Sequence, residues 1–140
     1  MGFNAIYQIA GSAMNAQMIR LNTVASNLAN ADTAAGSAES AYKARQPVFS
    51  AVLDQSMTSD GASASVAVTA ITERPGAIAR YEPHHPLADA KGYVYYPDVN
   101  TVDEMADMMS ASRSFETNVD VLSNIKSMQQ SLLRLGEGNS

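Results

Sequence analysis

The sequence predicts an elongated α+β protein in which two long terminal helices pair as a coiled-coil-like hairpin around a small middle region rich in β-hairpins. Three observations carry that prediction. Apolar residues recur at alternating spacings of three and four from Asn4 to Asn30, with no proline in the run. The same periodicity returns from Thr101 to Leu135. Between them, short runs rich in valine, isoleucine and tyrosine alternate with Pro, Gly and small polar residues, the signature of strands and turns. The chain therefore divides into an N-terminal helix with an asparagine-rich turn (1–36), a β-rich middle (37–100) and a C-terminal helix (101–140) that pairs with the first.

In the first helix, Tyr7, Gly11, Met14, Met18, Leu21, Ala25 and Leu28 form a lengthwise seam. Ile6, Ala10, Ala13 and Val24 make an adjoining row, so the apolar stripe is wider than a two-stranded seam requires. Asn4 is the expected N-cap, and Asn30 the expected exit through the left-handed conformation. Asn15 and Asn22 fall one heptad apart beside the seam, where an amide can fix register between helices. Asn27 is read as facing away from the Leu28 seam, toward a neighbouring molecule.

The middle region reads as strands at 47–53, 65–72, 77–81 and 92–97, with Pro75-Gly76 as a hairpin turn. A polar loop of small residues spans 54–64. The stretch YEPHHPLADAKG gathers Glu82, His84, His85 and Asp89. Flanking prolines hold it extended, so the adjacent histidines point to opposite sides and do not converge as zinc ligands do. It is read as a rigid surface turn, with no metal or cofactor.

The C-terminal helix opens on TVDE, a capping box in which Thr101 serves the first turn and Glu104 reaches back. One face carries Val102, Met105, Met109, Ser112, Phe115, Val119 and Leu122; a second row runs through Asn118, Val121, Ile125, Met128, Leu132 and Leu135, with Gly136 as the stop. Such a helix would be about 50 Å long. A compact chain of this size is only about 35–40 Å across. The helix is therefore expected to protrude and to need partners.

Composition narrows the function. A net charge of −5 without a basic cluster disfavours nucleic acid and anionic membrane surfaces as partners. The absence of cysteine excludes disulfides and thiolate metal sites. No apolar run reaches the roughly 20 residues that span a bilayer, and the N-terminal residues lack the basic and apolar regions of a cleaved secretory signal. There is no G-x-S-x-G, P-loop, G-x-G-x-x-G or H-E-x-x-H motif, and the carboxylates are read as dispersed and mostly at helix starts, where capping explains them, so enzyme activity is not expected.

Particular residues carry a family resemblance. ASNLANADT at 25–33 resembles the asparagine-rich N-terminal signature of the axial proteins of the bacterial flagellum (rod, hook and related subunits). The block at 81–119, above all HPLADAKGYV, PDVN, EM and SASRSFETN, is similar to the region entering the C-terminal helix of proximal rod subunits, and SMQQSLLRLG fits the tail. The resemblance implies a structural subunit of the proximal rod. Such subunits stack helically into the hollow drive shaft that crosses the periplasm to the hook and transmits torque for motility. It implies copies of the same chain and other rod subunits as partners, and export through the flagellar type III apparatus without a cleaved signal. On that reading the helix-packing and subunit interface comprises Met14, Met18, Leu21 and Leu28 with Phe115, Val119, Leu122, Ile125, Met128 and Leu132; the family-motif polar residues are Asn27, Asn30, Arg113 and Asn118. Another flagellar axial subunit, or a non-flagellar helical module with a Met-rich groove for a peptide, would use the same stripes.

Overall fold

The structure is a computed structural model that describes residues 3–54 and 63–137. The polar loop read at 54–64 falls, from 55 to 62, outside the described residues. In chain order the elements are α1 (Phe3–Asn30), β1 (Ala44–Asp54), β2 (Ser63–Arg74), β3 (Ala77–Tyr81), β4 (Tyr93–Pro97) and α2 (Thr101–Glu137). The 28 residues of α1 and 37 of α2 correspond to about 42 and 55 Å of helix. Two long terminal helices flank a small antiparallel strand region, which makes the molecule elongated.

All four helix ends differ in detail from the sequence reading. α1 already includes Phe3, so Asn4 lies inside the first turn instead of capping it. Asn30 is the last helical residue, but no non-glycine residue among those described has a positive φ. The chain leaves α1 through further turns, Ala31 N–H to Leu28 O at 3.3 Å and Thr33 N–H to Asn30 O at 3.0 Å. At α2 the cap is Asn100, one residue before Thr101: its Oδ1 accepts from Val102 N–H at 3.1 Å and Asp103 N–H at 3.4 Å. Glu104 is thereby released from the capping box and turns to the helix pair. Nor does Gly136 end α2, which runs on to Glu137.

The strands form two separate two-stranded sheets, β1–β2 and β3–β4. Pro75-Gly76 is consequently a link between two hairpins and not a hairpin turn, because β2 is already paired with β1. In the β1–β2 ribbon, Val48 faces Ala70 and Phe49 faces Val68, which leaves Thr69 as a bulge. An isolated two-stranded ribbon is marginal in water. Here α1 supports it: Val66 N–H donates to Ser12 Oγ at 3.1 Å, and α1 packs on both strands as well as on α2.

The β3–β4 hairpin closes through a loop at 82–92 that is held by its own side chains. Asp89 Oδ1 accepts from Lys91 N–H at 2.8 Å and from Tyr93 N–H at 2.9 Å, and its Oδ2 accepts from Tyr95 Oη at 3.3 Å. Gly92 completes the turn at φ +82°, in the region side chains avoid. The free edge of β4 is occupied too: Ala35 and Tyr95 exchange backbone hydrogen bonds at 2.8 and 2.9 Å, which ties the segment after α1 to the hairpin.

Small residues dominate the buried apolar set. Ala10, Ala16, Ala31, Ala41, Ala44 and Ala111 are buried, joined by Val24, Val94 and Ile125. Such a core brings backbones close but leaves most of the large apolar side chains outside it.

Candidate assembly interface

The helix pair is antiparallel, and two polar pairs set its register. The Arg20 guanidinium forms a two-point ion pair with Asp107, its Nε lying 3.3 Å from Oδ2. One to two turns further along α1, Asn27 Nδ2 donates to Glu104 Oε2 at 3.1 Å. Ascending α1 therefore corresponds to descending α2. On α1 the buried positions are Ala10, Ala16, Thr23, Val24 and Asn27, so the inward face takes in Ala10 and Val24 of the adjoining row and turns away from the seam through Gly11 and Met18. Met14, Leu21 and Leu28 flank it half-buried, while Met18 is exposed.

α2 shows the same rotation. Ala111 and Ile125 are buried, and Met108, Phe115, Asn118 and Leu122 are half-buried beside them. Val102, Met105, Met109 and Val119, read as one face with Phe115 and Leu122, are exposed instead. Beyond Ile125, every α2 side chain described, from Lys126 to Gly136, is exposed. Met128, Leu132 and Leu135 continue the inward row at 58%, 54% and 71% exposure, and Leu133 is bare beside them. The row thus runs past the end of its intramolecular partner for about 18 Å, from Lys126 to Glu137.

The family-motif polar residues have separate local roles. Asn30 and Asn118 each donate an amide hydrogen back along their own helix, to Ser26 O and Ser114 O, both at 2.8 Å. Arg113 is exposed. Asn27 reverses the expectation that it faces a neighbouring molecule: it is 1% exposed and bonded within its own chain. The cross-helix pairings of Arg20 with Asp107 and of Asn27 with Glu104 are not among the sequence expectations, which give Glu104 a capping role. The available signal was the row 10, 13, 17, 20, 24, 27, whose helical spacing persists although its members are small or polar.

The stretch with Glu82, His84, His85 and Asp89 is occupied with its own fold. Glu82 Oε2 accepts from Tyr96 Oη at 3.1 Å, and His85 Nδ1 accepts from Leu87 N–H at 3.1 Å. The Tyr93 N–H bond is the main influence holding the Asp89 carboxyl below its ordinary range. Desolvation, reinforced by the neighbouring carboxylates Asp89 and Glu82, raises the hydroxyls of Tyr95 and Tyr96. Among the described residues no three His, Asp or Glu side chains are grouped to hold a metal ion. No described helix is long and apolar enough to cross a membrane.

The terminal helices are joined by small buried residues and two polar pairs, many of their large apolar side chains are turned outward, and α2 overruns α1, the build of an elongated helical structural subunit. The family model described as flagella basal body rod protein matches residues 8–36, and that described as flagellar basal body rod FlgEFG protein C-terminal matches 90–135. Across nearly its whole length the chain is similar to the flagellar basal-body rod protein FlgC of Escherichia coli O6:H1, with 47% identity over 132 residues, 94% of this chain and 96% of that protein. The FlgC of Salmonella typhimurium strain LT2 is 46% identical over the same shares, and that of Bacillus subtilis strain 168 is 33% identical over 92% of this chain and 95% of its own. The chain belongs to the FlgC family of flagellar basal-body rod proteins, structural components of the flagellar basal body. Similarity through the middle region as well as the termini disfavours a different axial subunit, which would share the ends alone, and a non-flagellar peptide-binding module.

Proposed function

We propose that this chain is a structural subunit of the proximal rod. Its copies, with other rod subunits, polymerise helically into the hollow shaft that crosses the periplasm and carries torque. The observation that carries this reading is the uncovered apolar row on α2. A helix that overruns its partner by about 18 Å offers a neighbour a lengthwise contact, and lengthwise contacts spread shear over many side chains. Non-closing, head-to-tail use of such a surface yields a helical filament. The work is mechanical and involves no catalysis or cofactor. The subunit reaches its place by the flagellar type III apparatus, unfolded in transit and without a cleaved signal, in keeping with the absence of cysteines that could cross-link on the way. Electron microscopy of basal bodies from a strain lacking this chain tests the proposal: rings without a rod are expected, and intact rods would refute it.

A further inference from the structure

We infer that Asn27 is a positioning residue for assembly, fixing α1, the start of the ribbon and the first turn of α2 in one relative orientation through the polarity of its amide. Every hydrogen-bonding valence of that side chain is used. Oδ1 accepts from Arg45 N–H at 2.9 Å and from Tyr42 Oη at 3.0 Å. Nδ2 donates to Arg45 O at 2.9 Å and to Glu104 Oε2 at 3.1 Å. Because Arg45 offers both its N–H and its C=O, the amide pairs with β1 as a neighbouring strand would, closing that edge at one residue. This contact orients the amide so that its remaining hydrogen points to α2.

The surroundings hold the arrangement. Tyr42 is steadied by Ser26 Oγ at 3.0 Å and lies 5.8 Å beneath the Arg45 guanidinium. Glu104 is placed by the Asn100 cap, whose carbonyl also accepts from Glu104 N–H at 3.0 Å. Residues 15, 18 and 77 positions away in sequence therefore meet on one side chain. The seating of the ribbon and the docking of α2 are coupled through it, and with them the angle at which the outer stripes are presented.

Polarity can be separated from packing. Asn27→Asp keeps the shape and both acceptor contacts, but sets an oxygen against Arg45 O and a second carboxylate against Glu104. Glu104→Gln alone keeps an acceptor for Asn27. Combined with Asn27→Asp it supplies a donor, so the Glu104 contact is restored with its direction reversed. In the purified full chain, Asn27→Asp is expected to lower the unfolding midpoint by about 5–10 °C. Glu104→Gln alone should change it little, and the double variant should recover at least about half of the loss. A double variant no better than Asn27→Asp overturns the inference.

The effect on assembly rests on the rod reading, and swimming is its readout, with Leu122→Asp as reference. Loss of swimming in Asn27→Asp with recovery in the double variant is expected. Normal swimming of Asn27→Asp while Leu122→Asp is immotile overturns the positioning role. Normal swimming of both variants counts against the rod reading, and the unfolding midpoints then decide the clasp alone.

Discussion

Leu132 lies two turns beyond Ile125, the last buried position of α2, and is 54% exposed in the free chain. Leu132→Asp should therefore leave folding nearly untouched, within about 0.5 kcal/mol, the usual range for a surface change. Assembly is different. Full burial of a leucine is worth about 1.5–3 kcal/mol, and roughly half of that area remains to be covered, so the lost apolar contact amounts to about 1 kcal/mol. An unpaired carboxylate forced into the same contact adds at least about 2 kcal/mol. Together these weaken each subunit contact by a factor on the order of a hundred or more. The assay pairs a thermal melt of the purified chain with a count of rods in isolated basal bodies. An unchanged melt with few or no rods is expected. Full rod yield, or a melt lowered as far as Ile125→Ala lowers it (about 2–5 kcal/mol for a buried isoleucine), would refute the reasoning.

Two predictions concern the β3–β4 hairpin. Gly92→Ala should destabilise it by about 1–2 kcal/mol or more, because φ is +82° and an added Cβ would lie 3.0 Å from the Tyr81 ring and 3.2 Å from Pro83 Cβ; an unchanged melt would contradict this. Since Asp89 sits below its ordinary 3.8 when folded, its contribution is present above that value and is lost as pH falls through the lower folded value. The loop should loosen at acid pH, read from the Tyr93 amide signal. Asp89→Asn, which keeps an acceptor and does not titrate, should flatten that dependence.

Much of this was legible in the sequence, because helical and strand periods are local. The five-residue strand Ala77–Tyr81 is recovered with both its ends, and both helices appear where the three-four spacing runs. Rotation about the helix axes was not legible. The large side chains of Met14 and Met18 mark the more conspicuous stripe, whereas the positions buried on the two helices include the small Ala10, Ala16 and Ala111, and ionic and amide pairs join the helices. Periodicity marks a stripe as apolar without saying which molecule covers it. Asn27 was misplaced for the same reason: its partners at Tyr42, Arg45 and Glu104 are supplied by the tertiary fold. The Pro75-Gly76 link looked like a hairpin turn because local chemistry specifies a bend and not the strand that β3 joins.

The central claim is that the tail of α2 is bare in the free subunit and covered in the rod. Because the chain contains no cysteine, Leu132→Cys provides a single labelling site. Its reaction with a maleimide should be rapid in the purified subunit and at least about tenfold slower in isolated basal bodies, where a neighbour lies over it. Equal labelling in the two states would contradict the account.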